Sequence, residues 1–90
     1  MRTLLVGYDL NKQPESYADL IAKLKSFGTW WHGLDSTWLI RSDHTVAQLR
    51  DELMAFLDRD DELVVLDVTG DSWGSYGLTK ELSDWLANYV

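Results

Sequence analysis

The sequence predicts an α+β domain, and three observations carry that prediction. Short runs of β-branched, leucine and aromatic residues alternate with longer stretches whose apolar residues recur at helical spacing. The breaks between them fall at glycines, at the one proline and at clusters of Asp, Asn and Ser. The chain has 90 residues, one domain near the lower end of what a single core holds together without staples.

The first strand is Thr3 to Asp9, TLLVGYD, an apolar run that stops at a tyrosine followed by an acid. The polar turn NKQPES follows. It leads into a helix expected from Ser16, as N-cap, to about Phe27. Tyr17, Leu20, Ile21, Leu24 and Phe27 have helical spacing there, and Gly28 is a natural terminator. The stretch TWWHGLDSTWLIR predicts a hairpin turning around Gly33 to Asp35. A second helix is expected from Thr45, where Thr45 and Gln48 have capping-box spacing, with Val46, Leu49, Leu53, Phe56 and Leu57 as its stripe. The acidic turn DRDDE leads into the strand ELVVLDV. A glycine-punctuated loop, TGDSWGSYG, precedes a short amphipathic helix bearing Leu78, Leu82, Trp85, Leu86 and Tyr89.

This order is that of a ferredoxin-like βαββαβ antiparallel sheet with two helices on one face, followed by a C-terminal loop and short helix. The whole chain, 1–90, is expected to form a single domain, with its core in 1–69 and an extension in 70–90. Right-handed crossovers put the first strand at the centre, antiparallel to the third and fourth. Its tip, Asp9, then lies near Asp35, Ser36 and Thr37 and near the acidic start of the fourth strand. Thr69 and Gly70 fall at the opposite end. The face without helices should alternate to polar residues, yet both sides of these strands are apolar. Leu4, Val6 and Tyr8 oppose Thr3, Leu5 and Gly7; Val64, Leu66 and Val68 oppose Leu63, Val65 and Asp67; and one of the neighbours Trp30 and Trp31 must leave the helix-covered face. A surface this apolar needs a cover. The C-terminal segment supplies part of it, and a homodimer through the open sheet face is the economical way to supply the rest. The alternative is a last helix that closes the face alone.

The formal net charge is −7, with eight Lys and Arg scattered among fifteen acids. Affinity for a nucleic-acid backbone comes largely from counterion release by a basic stripe, so extended duplex binding is disfavoured while a smaller RNA, DNA or nucleotide ligand is not. With no cysteine, disulfides and thiolate metal sites are excluded, which fits a reducing compartment. No apolar run is long enough to cross a bilayer and MRTLLVGYD is a poor signal peptide, so a cytoplasmic protein without membrane partners is expected.

Asp9 is the foremost candidate for chemistry. Acids at strand tips, paired across a dimer axis, can hold a hard cation such as Mg²⁺ that polarises a phosphodiester and activates water. The plainer alternative is a strand-end Asp bonded to its own turn. Asp35, Ser36 and Thr37 would add a second ligand or hydroxyl donors, or form an ordinary turn. Tyr8 and Asn11 flank the tip and complete the expected ligand-binding set together with Trp73. That tryptophan and its glycine-rich loop could stack on a base and nest a phosphate, or serve as a connector and interface anchor. His32 and His44 lack ligand-like spacing, and no His and Ser arrangement suggests a nucleophilic triad.

The opening LLVGYDLN resembles the first strand of the small CRISPR-associated adaptation protein, the dimeric partner of the spacer integrase, and that of virulence-associated protein D, a toxin ribonuclease. The resemblance continues through LKSFGTWWHGLDSTWLI, with its Ser36, Thr37, Trp38 element, and through LRDELMAFLDRDDELVVLDV, covering residues 3 to 68. It implies a homodimer and a divalent-cation-dependent nuclease, with Mg²⁺ or Mn²⁺ at Asp9. The chain departs from those families in lacking a basic cluster after Asp9, in Leu34 where a glutamine is common, and in everything beyond Gly70. Two functions are therefore expected. One is a CRISPR-adaptation-type endoribonuclease or phosphodiesterase with attenuated activity. The other is a non-catalytic module that sequesters a nucleotide-derived signal in defence or counter-defence, or regulates a protein partner.

Overall fold

The computed structural model describes all 90 residues. In chain order the elements are β1 (Arg2–Asp9), α1 (Ala18–Lys25), β2 (Trp30–Leu34), β3 (Thr37–Ser42), α2 (Val46–Met54), β4 (Glu62–Asp67) and α3 (Lys80–Tyr89). The four strands form one antiparallel sheet in the order β2-β3-β1-β4, with β1 central and paired to both β3 and β4. No helix is long and apolar enough to cross a membrane.

Two local expectations are corrected. Ser16 does not cap α1: the chain enters through a 3-10 turn, Pro14–Tyr17, after an extended Gln13, and no side chain caps it. Proline fixes its own φ and has no N–H to satisfy, so it starts the turn two residues before the serine can act. The hairpin also turns later than expected, at Asp35 and Ser36, because β2 runs on through Gly33 and Leu34 with a shift of register after Trp31. Gly33 permits that irregularity: a Cβ there would lie 2.4 Å from the Trp31 ring. The other signals act as expected. Gly28 ends the first helix at φ 84°. Thr45 and Gln48 form the reciprocal capping box of α2.

The two faces of the sheet are covered differently. On one, Leu4, Val6, Trp38 and Ile40 meet Tyr17, Leu20 and Leu24 of the first helical segment and Leu49 and Leu53 of α2, a cluster of nine buried residues. On the other, α3 lies against Trp31, Leu39 and Leu5 through Leu82, Trp85 and Leu86. The Trp31 indole N–H donates to the Leu82 carbonyl at 3.1 Å. The Thr3 hydroxyl donates to the Tyr89 carbonyl, and Arg41 donates to the Thr3 hydroxyl at 2.8 Å while its guanidinium lies over the Tyr89 ring. The final helix thus supplies more of the cover than expected of it, leaving Leu34, Val64 and Leu66 half exposed.

Candidate functional site

The tip of β1 is positioned by its neighbours on both sides. Asp9 stands opposite Glu62 of β4, and the Tyr8 N–H donates to the Ser36 carbonyl at 3.1 Å across the β2–β3 turn. The Tyr8 hydroxyl accepts from the Trp38 indole N–H at 3.0 Å and donates to the Asp35 carbonyl at 3.3 Å. One core tryptophan and one turn carbonyl therefore fix the direction of the tyrosine ring. The result is a cleft of about 370 Å³ lined by Tyr8, Asp9, Asp35 and Ser36 together with Lys12, Tyr17 and His32. The His32 ring stacks on Trp38 at 4.0 Å with planes 13° apart. Its Nε2 lies 3.0 Å from the Asp35 carbonyl, and since that oxygen can only accept, Nε2 carries the proton.

Four of the seven residues singled out in the sequence converge there. The other three do not. Thr37 pairs opposite Gly7 inside the sheet. Asn11 borders a neighbouring depression with Asp58, Arg59 and Asp60, and its backbone N–H donates to Asp61 at 2.8 Å. Trp73 belongs to the loop that leaves β4 at the far end of the sheet, where Val68 bonds to Thr3.

Asp9 is solvent-exposed, and only Asp35 shares the cleft with it as a second acid. No group of three or more His, Asp or Glu side chains gathers to hold a metal within one chain. Two carboxylates suit Mg²⁺ held mostly through water and a substrate phosphate, not a cage built wholly from protein.

Sequence reasoning missed the carboxylate that organises the cleft wall. Asp61 Oδ1 accepts from the Tyr17 hydroxyl at 2.7 Å and from the Asn11 N–H at 2.8 Å, while Oδ2 accepts from the Asp58 N–H at 2.8 Å. Lys12 donates its N–H to the Tyr17 hydroxyl at 3.0 Å and pairs with Asp58 at 2.7 Å. Desolvation opposes ionisation of Asp61, but the backbone donors, the Tyr17 hydroxyl and the nearby Lys12 charge outweigh it and hold the carboxyl below its ordinary range. Desolvation and the bond to Asp61 push the Tyr17 hydroxyl up, and the bond and charge of Asp58 push Lys12 up. In the sequence Asp61 is one of four acids in DRDDE and nothing distinguishes it. Tyr17 appears there only as part of a helical stripe.

A linear arrangement of Ser42, His44 and Glu52 is also present, which the spacing did not suggest. Ser42 Oγ contacts His44 Nδ1, and His44 Nε2 contacts Glu52. The serine is 5% exposed and its hydroxyl also accepts the His44 N–H at 3.1 Å, so no substrate reaches it. Glu52 is shared with Lys23 at 3.2 Å. The group joins α1, α2 and the β3–α2 connection and is structural.

Compared with protein-family models, curated proteins and solved structures, the chain has no match.

Proposed function

We propose that the protein is a ferredoxin-like binding module of the type it resembles in sequence, the small CRISPR-associated adaptation protein, and that it takes a nucleotide-sized ligand in the cleft at the tip of β1. The observation that carries this reading is the convergence of Tyr8, Asp9, Lys12, His32, Asp35 and Ser36 on one cleft of about 370 Å³. That volume is within the ~300–1,000 Å³ of small-molecule sites. The exposed His32 ring offers a surface for a base, Lys12 offers a cation for phosphate, and Asp9 and Asp35 accept from ribose hydroxyls or base N–H groups. The net charge of −7 favours such a short ligand over a long polyanion. The absence of cysteine supports a cytoplasmic setting.

Titration calorimetry against mononucleotides, cyclic dinucleotides and short oligonucleotides tests this. Binding is expected to be lost in His32→Ala and Asp35→Ala and kept in Trp73→Ala. Absence of heat from every ligand would end the reading.

The presence of Asp9 and Asp35 in one cleft favours a second reading, a phosphodiesterase or ribonuclease that uses Mg²⁺ or Mn²⁺ at Asp9. Asp9→Ala should then abolish metal-dependent cleavage while leaving the fold intact, because its side chain is exposed. A wild-type protein that cleaves neither RNA, DNA nor cyclic dinucleotides eliminates it.

A further inference from the structure

The second face of the sheet has room for more than α3. Four strands about 4.8 Å apart need two helices, each about 10 Å wide, to cover them. The first face has two helical segments and the second has one. α3 lies over Trp31, Leu39 and Leu5. Beyond it, one row of the same face crosses all four strands uncovered: Leu34, Thr37, Gly7 and Val64, successive partners in the ladder. Leu34 is 55% exposed, and Val64 and Leu66, its neighbour on that face, are 50% exposed.

Gly7 turns this row into a trough. A Cβ there would lie 3.3 Å from Val64 Cγ1. Without one, a groove of about 320 Å³ opens between β1 and β4, lined by Gly7, Tyr8, Asp9, Glu62, Leu63 and Val64. Glycine inside a strand often marks a site where a ligand or another chain approaches closely. Asp9 and Glu62 close the groove at the strand tip. The Val68 N–H donates to the Thr3 carbonyl at 2.9 Å, so odd-numbered residues of β1 and even-numbered residues of β4 form the hydrogen-bonded pairs. Asp9 and Glu62 are such a pair, with Cα atoms about 5.5 Å apart and side chains on one face. Both are exposed, and neither forms an ion pair within the chain. The cations near the tip are engaged or placed elsewhere. Lys12 pairs with Asp58 at 2.7 Å, and Arg59 lines two depressions with Leu57 and Asp58, outside the groove. Asp35 and Asp60, exposed at the same end of the sheet, add acids and no cation.

We propose that this groove receives an arginine from an amphipathic helix of another protein, which lies beside α3 on the second face. This goes beyond the ligand-binding reading and does not depend on it. The groove has an apolar floor and two acids at its end, which matches the aliphatic stem and cationic head of arginine. The stem passes over Gly7 and against Val64, and the guanidinium has enough N–H donors to serve both carboxylates at once. A lysine ammonium is a more strongly hydrated point charge and spans the pair less well. Like charges directly opposite each other destabilise a ladder, and a cation between them relieves that repulsion. Leu34 and Leu66 meet the apolar side of the incoming helix. A second copy of this chain suits the groove badly, because a two-fold contact over it brings both acids of each copy together in a chain of net charge −7.

NMR titration of the isotope-labelled protein tests the proposal with two probes: N-acetyl-arginine amide, and a synthetic leucine–glutamine amphipathic helix with one central arginine. Each has a citrulline counterpart that keeps the shape and loses the charge. Both arginine probes should shift the amides of Gly7, Glu62 and Val64 saturably. The helix should bind at least about 10-fold tighter than the single residue, because it also buries Leu34 and Leu66. Citrulline in place of arginine, or Glu62→Gln in the protein, should weaken the helix about 10-fold or more. Glu62 is exposed, so circular dichroism of that variant should be unchanged. Leu34→Ser with Leu66→Ser should weaken the helix and leave the single arginine as in the wild type. Asp35→Ala lies outside the groove and should leave both probes unaffected, whereas nucleotide binding in the cleft at the tip of β1 should survive Glu62→Gln, so the two readings fail separately. No saturable shift at tens of millimolar arginine amide, equal binding of citrulline, or indifference to Glu62→Gln would overturn the proposal. So would a wild type that sediments as a dimer and is dissociated by Glu62→Lys, which would assign the groove to a second copy.

Discussion

The two faces of this sheet solve the same burial problem with unequal means. The first is covered by two helical segments and has nine buried residues, eight of them fully shielded Leu, Val, Ile and Trp side chains together with a nearly shielded Tyr17. The second is covered by one ten-residue helix and has three. Its margin along β4 stays open, with Val64 and Leu66 half exposed. The lesson is that the apolar alternation of a strand states how much must be buried but not by what. β4 presents leucine and valine on both sides, and only the first side finds its cover within the chain.

If the first face carries the stability, its largest side chain should be the most costly to remove. Trp38 is fully buried, donates to the Tyr8 hydroxyl and supports the His32 stack. Trp38→Ala is expected to cost about 3–5 kcal/mol in urea denaturation, and to distort the cleft as well. Leu86→Ala, on the second face, should cost about 2 kcal/mol, the low end for a buried leucine, because its cluster is small and can relax toward solvent. Equal losses in the two variants would mean that α3 is as much a part of the core as α1 and α2. A loss at Leu86 near zero would mean that it is a loosely docked extension.

The helix caps sharpen the comparison at a smaller scale. Thr45 accepts from the Gln48 N–H at 3.1 Å, and Gln48 returns a bond to the Thr45 N–H at 2.9 Å. Thr79 accepts from the Leu82 N–H at 3.3 Å without a reciprocal partner. Thr45→Ala should cost about 1 kcal/mol and Thr79→Ala less. Amide exchange should show α3 opening more readily than α2 in both variants and in the wild type.

Much of this was legible in the sequence because it rests on local rules. The capping box, the Gly28 terminator, the central place of β1 and the opposite directions of Trp30 and Trp31 all follow from spacing. The errors arise where two local rules compete or where a long-range partner decides. Pro14 outranked Ser16 as the start of the first helical segment. Asp35, Ser36 and Asp9 were placed together by strand order alone, whereas Thr37, their sequence neighbour, was taken into the ladder opposite Gly7. Asp61 could not be separated from the acids beside it. Its role depends on Tyr17 and Asn11, 44 and 50 residues away, and on no pattern that surrounds it.

The same carboxylate gives the comparison its finest test, because titratable groups stitch the first face and few stitch the second. In the folded chain Asp61 is held below the ordinary carboxyl value of 3.8, so the fold binds that proton less readily than the unfolded chain does. Its contribution is present above the unfolded value and is lost as pH falls through the folded one. Tyr17 and Lys12 are raised above 10.0 and 10.5, so their contributions are present below those values and are lost as pH rises through the folded ones. Melting temperature should therefore decline below about pH 4 and again above about pH 10. Asp61→Asn should flatten part of the acid limb, the remainder belonging to Glu52 and Asp67, whose carboxyls are also lowered. Tyr17→Phe should flatten part of the alkaline limb and leave the acid limb in place. On the second face, the Trp31 to Leu82 and Thr3 to Tyr89 bonds join neutral groups. Exchange protection in α3 should accordingly hold down to the pH at which the first face fails, and then disappear with it. Loss of α3 protection at a milder pH would show that the smaller face has a titration of its own.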